Sequence, residues 1–308
     1  MKRLLIFVLC ILLLTGCAAP AAAGEGYTFT DDTGAEVAVA GRPQKVAVLL
    51  SSLADLWITA GGSVDITVGE SIQRGFADET VILVDEGAGK TINLEALIGA
   101  RPDFVIYSAD LSGQLACAET LRAAGIPAAG FTLETFEDYL RVLKICTDIL
   151  ETPECYEQYG TALKAEIDGM IAIAQAQDHQ PHILFVRAGS SARYTKAKTA
   201  ENHFVCAMLQ ALGTFNIAEK APVLLDGLST EEILISDPDF ILFTTMGDEA
   251  AGASYMESLL SDPVWQTLTA VQSGNVHQLP KELFQYKPNA RWAEAYAYLI
   301  ELLYGDIL

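Results

Sequence analysis

Apolar positions in this chain fall into two alternating kinds of segment. Continuous apolar runs at 45–50 (KVAVLL), 103–107, 128–131, 182–186 (HILFV), 240–244 and 276–279 read as strands covered on both faces. Between them, apolar residues recur at three-and-four spacing, which predicts helices from Ser51 through Leu53, Leu56 and Trp57, and over 95–100, 112–124, 136–150, 203–212 and 263–270. A strand at 65–69 opens into a loop over 70–79. Residues 27–30 and 35–39 flank Asp31-Asp32-Thr33-Gly34 as a small hairpin. Asn289 is expected to cap a last helix striped by Trp292, Tyr296, Leu299 and Leu303. Strand alternating with helix calls for an α/β fold: parallel sheets with helices on both faces.

The longest periodic stretch lies at mid-chain, over 154–177. Tyr156, Tyr159, Leu163, Ile167, Met170, Ile171 and Ala174 share one face, and Glu157, Gln158, Lys164, Asp168 and Gln175 the other. At 1.5 Å per residue this amphipathic helix spans roughly 36 Å, about the width of a small domain. Pro153 suits its first turn, where a missing N–H goes unnoticed.

The two sides of that helix resemble each other. Glu95-Ala96-Leu97-Ile98-Gly99-Ala100-Arg101-Pro102-Asp103-Phe104 and Glu231-Glu232-Ile233-Leu234-Ile235-Ser236-Asp237-Pro238-Asp239-Phe240 both read glutamate, short apolar helix, Pro-Asp-Phe and buried strand, without a gap. The pattern predicts two related lobes, 27–152 and 179–308, joined by a linking helix over 153–178. The carboxyl ends of their strands would face a shared ligand cleft.

Composition narrows the class. A 308-residue chain with net charge -21 and 51% hydrophobic residues is a folded protein that repels nucleic acid. Lys2 and Arg3 precede an apolar run over 4–14 and then Leu14-Thr15-Gly16-Cys17. This is a secretory signal ending in a bacterial lipobox, with Cys17 the lipidated residue and 18–26 a tether to the membrane. The run is too short to cross a bilayer. Four cysteines remain, with no CxxC pair; Cys146 and Cys155 either form a disulfide or are free thiols on apolar helix faces.

Chemistry-bearing motifs are few. Gly87-Ala88-Gly89-Lys90-Thr91 lacks the first glycine of a phosphate-binding loop, and Asp85 and Glu86 stand where N–H groups are needed. There is no Gly-x-Ser-x-Gly elbow. His179, His182, His203 and His277 have no metal-ligand spacing, so neither a catalytic centre nor a resident metal or cofactor is expected. The one reversal of sign is 187–198, in which Arg187, Arg193, Lys196 and Lys198 stand without an acid. It follows a buried strand, so Arg187 and Arg193 are candidates to meet ligand carboxylate, phosphate or hydroxamate oxygens, with Tyr194 as an aromatic face. Ser51, Ser52, Arg74 and Ser108 face them from the first lobe, and Met246, Tyr286, Lys287 and Arg291 complete the second.

The lipobox, Phe29-Thr30-Asp31-Asp32-Thr33-Gly34-Ala35-Glu36-Val37, the Asn93-Leu94-Glu95 to Pro102-Asp103 block and the single helical bridge together resemble the helical-backbone class of ABC-importer substrate-binding proteins. That resemblance covers the chain from Tyr27 onward. It implies two Rossmann-like lobes and a membrane-anchored receptor, not an enzyme, for a ferric siderophore, haem or cobalamin. It also implies a glutamate on each lobe, Glu95 and Glu231, docking on the permease that works with the ATPase; Glu232 competes for the second position. For haem, Tyr194, Tyr286, His203 or Met246 are the available axial ligands. A surface enzyme acting on a tetrapyrrole or metal chelate is the reading from another class, and no acid–base pair or nucleophile asks for it.

Overall fold

The computed structural model describes residues 26–85 and 91–308. Cys17 with its leader, most of the tether and Gly87–Lys90 lie outside them. The chain opens with the antiparallel hairpin β1 (Tyr27–Thr30) and β2 (Glu36–Val39). The buried Asp31 carboxylate closes its turn, accepting from Thr33 N and Ala35 N, and reaches across to Gly130 N at 2.8 Å. There follow β3 (Val46–Val48), α1 (Ser51–Thr59), β4 (Ile66–Thr67), α2 (Gly69–Gln73), β5 (Ile82–Leu83), α3 (Leu94–Gly99), β6 (Phe104–Ser108), α4 (Ser112–Ala123), β7 (Ala128–Phe131) and α5 (Phe136–Leu150). The five strands from β3 to β7 form one parallel sheet in the order β5-β4-β3-β6-β7.

The linking helix is continuous but not uniform. It comprises α6 (Pro153–Tyr156), a π-helical stretch over Glu157–Ala162 and α7 (Leu163–Gln175). Tyr139 of α5 donates its hydroxyl to the Tyr159 carbonyl at 2.9 Å, giving a partner to one of the groups that a widened turn exposes. Leu163, Ile167 and Ala174 are buried along one face, as the periodicity requires.

Beyond it come β8 (His182–Ala188), β9 (Lys196–Ala197), α8 (Phe204–Ala211), β10 (Phe215–Asn216), α9 (Val223–Asp226), α10 (Thr230–Ser236), β11 (Phe240–Thr245), α11 (Glu249–Leu260), α12 (Thr269–Gln272), β12 (Val276–Gln278), α13 (Lys281–Phe284) and α14 (Trp292–Tyr304). The second sheet runs β10-β8-β11-β12, all parallel, with β9 folded back antiparallel on β8. The fold is thus α/β with two mainly parallel sheets on either side of a linking helix.

Three sequence expectations fail locally. The stretch 70–79 begins as α2, because Glu70 and Ser71 continue a turn started at Gly69. The helix over 263–270 is broken into a 3-10 turn, Trp265–Thr267, and α12. Asn289 does not cap the last helix: it sits in a 3-10 turn, Asn289–Arg291, at φ +51°, and Arg291 precedes α14. The cysteines at 146 and 155 are free thiols.

The internal likeness reaches the backbone. Asn93 and Ser229 cap α3 and α10 with their side chains, Arg101 and Asp237 both take positive φ, and Asp103 and Asp239 both clamp the first strand of their sheet. Asp103 accepts from Gln44 N and Lys45 N, and Asp239 from His182 N, all at 2.8 Å. Asp239→Ala should cost about 1 kcal/mol in urea unfolding and Asp103→Ala, which loses two bonds, about 2 kcal/mol. A larger loss at Asp239 than at Asp103 would show that these bonds do not set the worth of the two clamps.

Candidate functional site

Both sheets switch direction of strand order at their first strand, and a parallel sheet opens a crevice at the carboxyl ends flanking that point. In the first sheet the flanking ends are those of β3 and β6, which lead into Ser51–Ser52 and Ser108–Asp110. Gln114 ties them, accepting from Ser108 N at 2.7 Å and donating to Leu49 O at 2.6 Å. In the second sheet they are the ends of β8 and β11, which carry Arg187 and Thr245. A cavity of about 500 Å³ lies between the two crevices, with Ser52, Ser108 and Asp110 on one wall and Arg187, His203 and Lys287 on the other.

The second-lobe wall is cationic and half-buried. Burial lowers the proton affinity of Lys287, offset in part by Glu134, whose carboxylate it meets at 2.7 Å across the cleft. Its ammonium lies 4.4 Å from the centre of the Phe204 ring. Two polar atoms of lining side chains, Arg187 Nε and Gln285 Oε1, are buried with no hydrogen-bond partner among the described residues. Orphaned groups of this kind cost stability unless a ligand takes them up.

Arg74 joins the walls. Its Nη1 donates to Ser51 Oγ at 2.8 Å and Ser52 Oγ at 3.0 Å, and Ser51 in turn donates to Glu70. The guanidinium stacks on Tyr286 of the other lobe, 4.0 Å from the ring centre, and lies 4.7 Å from Phe76. Burial lowers its proton affinity, against which Asp55 and Glu70 act. Behind this stack a second cavity of about 540 Å³ is lined by Asp55, Phe76, Lys281 and Arg291.

Of the residues expected to meet ligand, Ser52, Ser108, Arg187, Tyr286 and Lys287 line the main cavity, with Ser51 directly behind. Arg74 and Arg291 line the adjoining one, where Arg291 is paired with Glu294 at 2.7 Å. Arg193 and Tyr194 are exposed and turned away: Thr195 Oγ1 bonds to both Gly189 N and Gly189 O at 3.1 Å and folds the basic stretch back. Arg193 lines a separate hollow with Val223 and Tyr255. Met246 lines none of these cavities; its N–H donates to Ala188 O. Sequence reasoning missed Glu70, Asp110, Glu134 and Gln285. For Asp110 a signal existed, since it follows the same strand as Ser108.

His203 lies among aromatic rings, 4.8 Å from Phe185 and 5.2 Å from Phe204. Its Nδ1 accepts from Val205 N at 3.3 Å, capping α8, so the neutral ring carries its proton on Nε2. Burial, reinforced by Lys287, Arg187 and Lys198, holds it down at about 3.

A family model described as "Periplasmic binding protein" matches residues 46–283, and the chain belongs to that family, whose members are transport receptors and not enzymes. Solved structures share the fold. The periplasmic haem-binding protein RhuT from Roseiflexus sp. RS-1, in apo form, is 19% identical with a TM-score of 0.68, over 85% of this chain and 98% of that one. Staphylococcus aureus IsdE complexed with haem is 14% identical with a TM-score of 0.68, over 84% and 98%. Staphylococcus aureus SirA complexed with staphyloferrin B is 16% identical with a TM-score of 0.70, over 90% and 98%. No curated protein sequence matches the chain. No helix among the described residues is long and apolar enough to cross a membrane.

A neutral His203 lowers stability in acid, because the unfolded chain takes up its proton near pH 6.5 and the native one only near its depressed value. From pH 7 to pH 5 this group should remove up to about 2 kcal/mol of unfolding free energy. The variant H203N keeps a capping acceptor and cannot titrate, so its urea midpoint should fall less over the same interval; an identical fall would refute the assignment.

Proposed function

We propose that this protein is the extracytoplasmic substrate-binding component of an ABC importer, capturing an iron complex, a ferric siderophore or haem, for a permease and its ATPase. The observation that carries the reading is the wall formed by Arg187 and Lys287: two half-buried cations, one with a buried and unpartnered donor, at the crevice of the second sheet. Such a wall suits a ligand presenting anionic oxygens. The cavity has the size of ordinary small-molecule sites. Haem in IsdE and staphyloferrin B in SirA, on the same fold, support the class.

Between the two iron complexes, the wall favours an oxygen-rich chelate. His203 offers Nε2–H as a donor, whereas ligating haem iron would need a lone pair there. A corrinoid is the alternative within the class.

The receptor would be held at the outer face of the cell membrane by lipid on Cys17. Docking would fall to Glu95 and Glu231, both exposed in the first turns of the equivalent helices α3 and α10. Glu232, by contrast, accepts from Ser236 at 3.4 Å and is half-buried. Two separated carboxylates fix orientation on a basic partner better than one.

The protein from residue 18 onward, titrated with ferric carboxylate and hydroxamate siderophores, haem and cobalamin, should gain about 2.7 kcal/mol of stability at a hundred times the dissociation constant of its ligand. Absence of a thermal shift with every iron complex would overturn the reading, and a shift with cobalamin alone would select the corrinoid. R187A should weaken the bound complex about 10- to 100-fold. In cells, E95A/E231A should lower uptake and leave ligand affinity of the purified receptor unchanged; full uptake would remove these carboxylates from docking.

A further inference from the structure

After β12 and α13, the chain turns back to the first lobe, and the 3-10 turn Asn289–Arg291 packs on α1. Asn289 stands at the centre of that contact. Its φ of +51° is in the left-handed region, which asparagine tolerates better than most side chains. The residue is wholly buried, and its Nδ2 donates to Ser52 O at 2.7 Å and to Asp55 Oδ2 at 2.8 Å. Both acceptors belong to α1. Its Oδ1 has no partner among the described residues, so these two donated bonds alone orient the amide.

The position of this contact relates it to ligand capture. Ser52 lines the main cavity from the first lobe and also receives Arg74. Tyr286 and Lys287, three and two residues before Asn289, line the same cavity from the other side. One buried amide therefore holds a wall-bearing helix and a wall-bearing loop from opposite lobes at a fixed separation. The side chain neither caps α14 nor braces its own turn.

We propose that Asn289 is a positioning residue for the cleft: among the non-covalent joins between the lobes, its buried amide is the one that sets the spacing of the cavity walls in the empty receptor. The inference does not depend on which ligand is bound. Its test needs no ligand, and its failure would leave the proposed function standing.

Spin labels at E119C on α4 and E257C on α11, both exposed positions, report the inter-lobe distance in a C155S background. N289G accepts the backbone conformation and deletes the amide. N289D keeps the size and turns the donor into a carboxylate facing Asp55, and D55A deletes one acceptor. In the ligand-free protein, N289G and D55A should broaden the distance distribution and shift it by several ångström, N289D the most. A merely structural role would lower the melting temperature and leave the distribution in place. Distributions superimposable on the parent in variants that are folded by circular dichroism would overturn the proposal. If N289G does not fold, D55A and N289D read the same quantity.

Discussion

The receptor depends on Trp292. Its ring stands edge-on to Phe136 of the first lobe and to Phe204 of the second, each with centroids 5.6 Å apart, and it is almost wholly buried. Through it, one apolar core runs from Phe104 and Trp57 under the first sheet, past Leu163 and Ile167 of the linking helix, to Ile183 and Phe185 under the second. Two lobes that share a core cannot separate as independent bodies without exposing it, and burial of large aromatic rings is among the stronger apolar terms a chain can gather. The cleft is thus floored by a shared core, above which its walls shift only as far as the contacts between them allow. Phe204 connects the two sides: one edge packs on Trp292 and one face lies under Lys287 at the cavity.

Electrostatics works in the same direction. The chain as a whole is strongly acidic, yet its cleft sets cations of the second lobe opposite acids of the first. Lys287 with Glu134 and Arg74 with Tyr286 each join the lobes through groups that line the two cavities. If the proposed function holds, a ligand entering the cleft would exchange partners with these groups instead of filling a neutral hollow, which would favour one that can replace a carboxylate.

How much of this is legible in the sequence depends on whether the cause is local. The boundaries of β7 and α5 coincide with the apolar run at 128–131 and the amphipathic stretch at 136–150, since local causes define them: burial for both, and for α5 also the capping box of Thr135 and Asp138. The α11 helix escapes such a reading because its packing rests on smallness: Gly252 lies against Ala188 O and Thr245, and Met256 is its other buried residue. The same holds at the site. Arg187 and Lys287 are visible as rare cations in an acidic chain, but Glu134 becomes relevant only once residues 153 positions apart are brought together. Asn289 reads locally as a helix cap, and its partners lie more than 230 positions away. Arg193 and Tyr194 look equivalent to Arg187 until Thr195 and Gly189 close the turn that points them outward.

The π-helical stretch over Glu157–Ala162 also bears on how such a linker tolerates change in length. A widened turn houses one residue more than an α-helix needs for the same rise, and the flanking faces keep their phase. Loss of one residue inside this stretch would be absorbed by a return to α-helical winding. Loss of one residue within α7 would instead rotate every later side chain by about 100° and turn Ile167 or Ala174 away from the core. The bridge carries its spare length near its N-terminal end, and a chain one residue shorter there would keep the face of α7 in phase with the core.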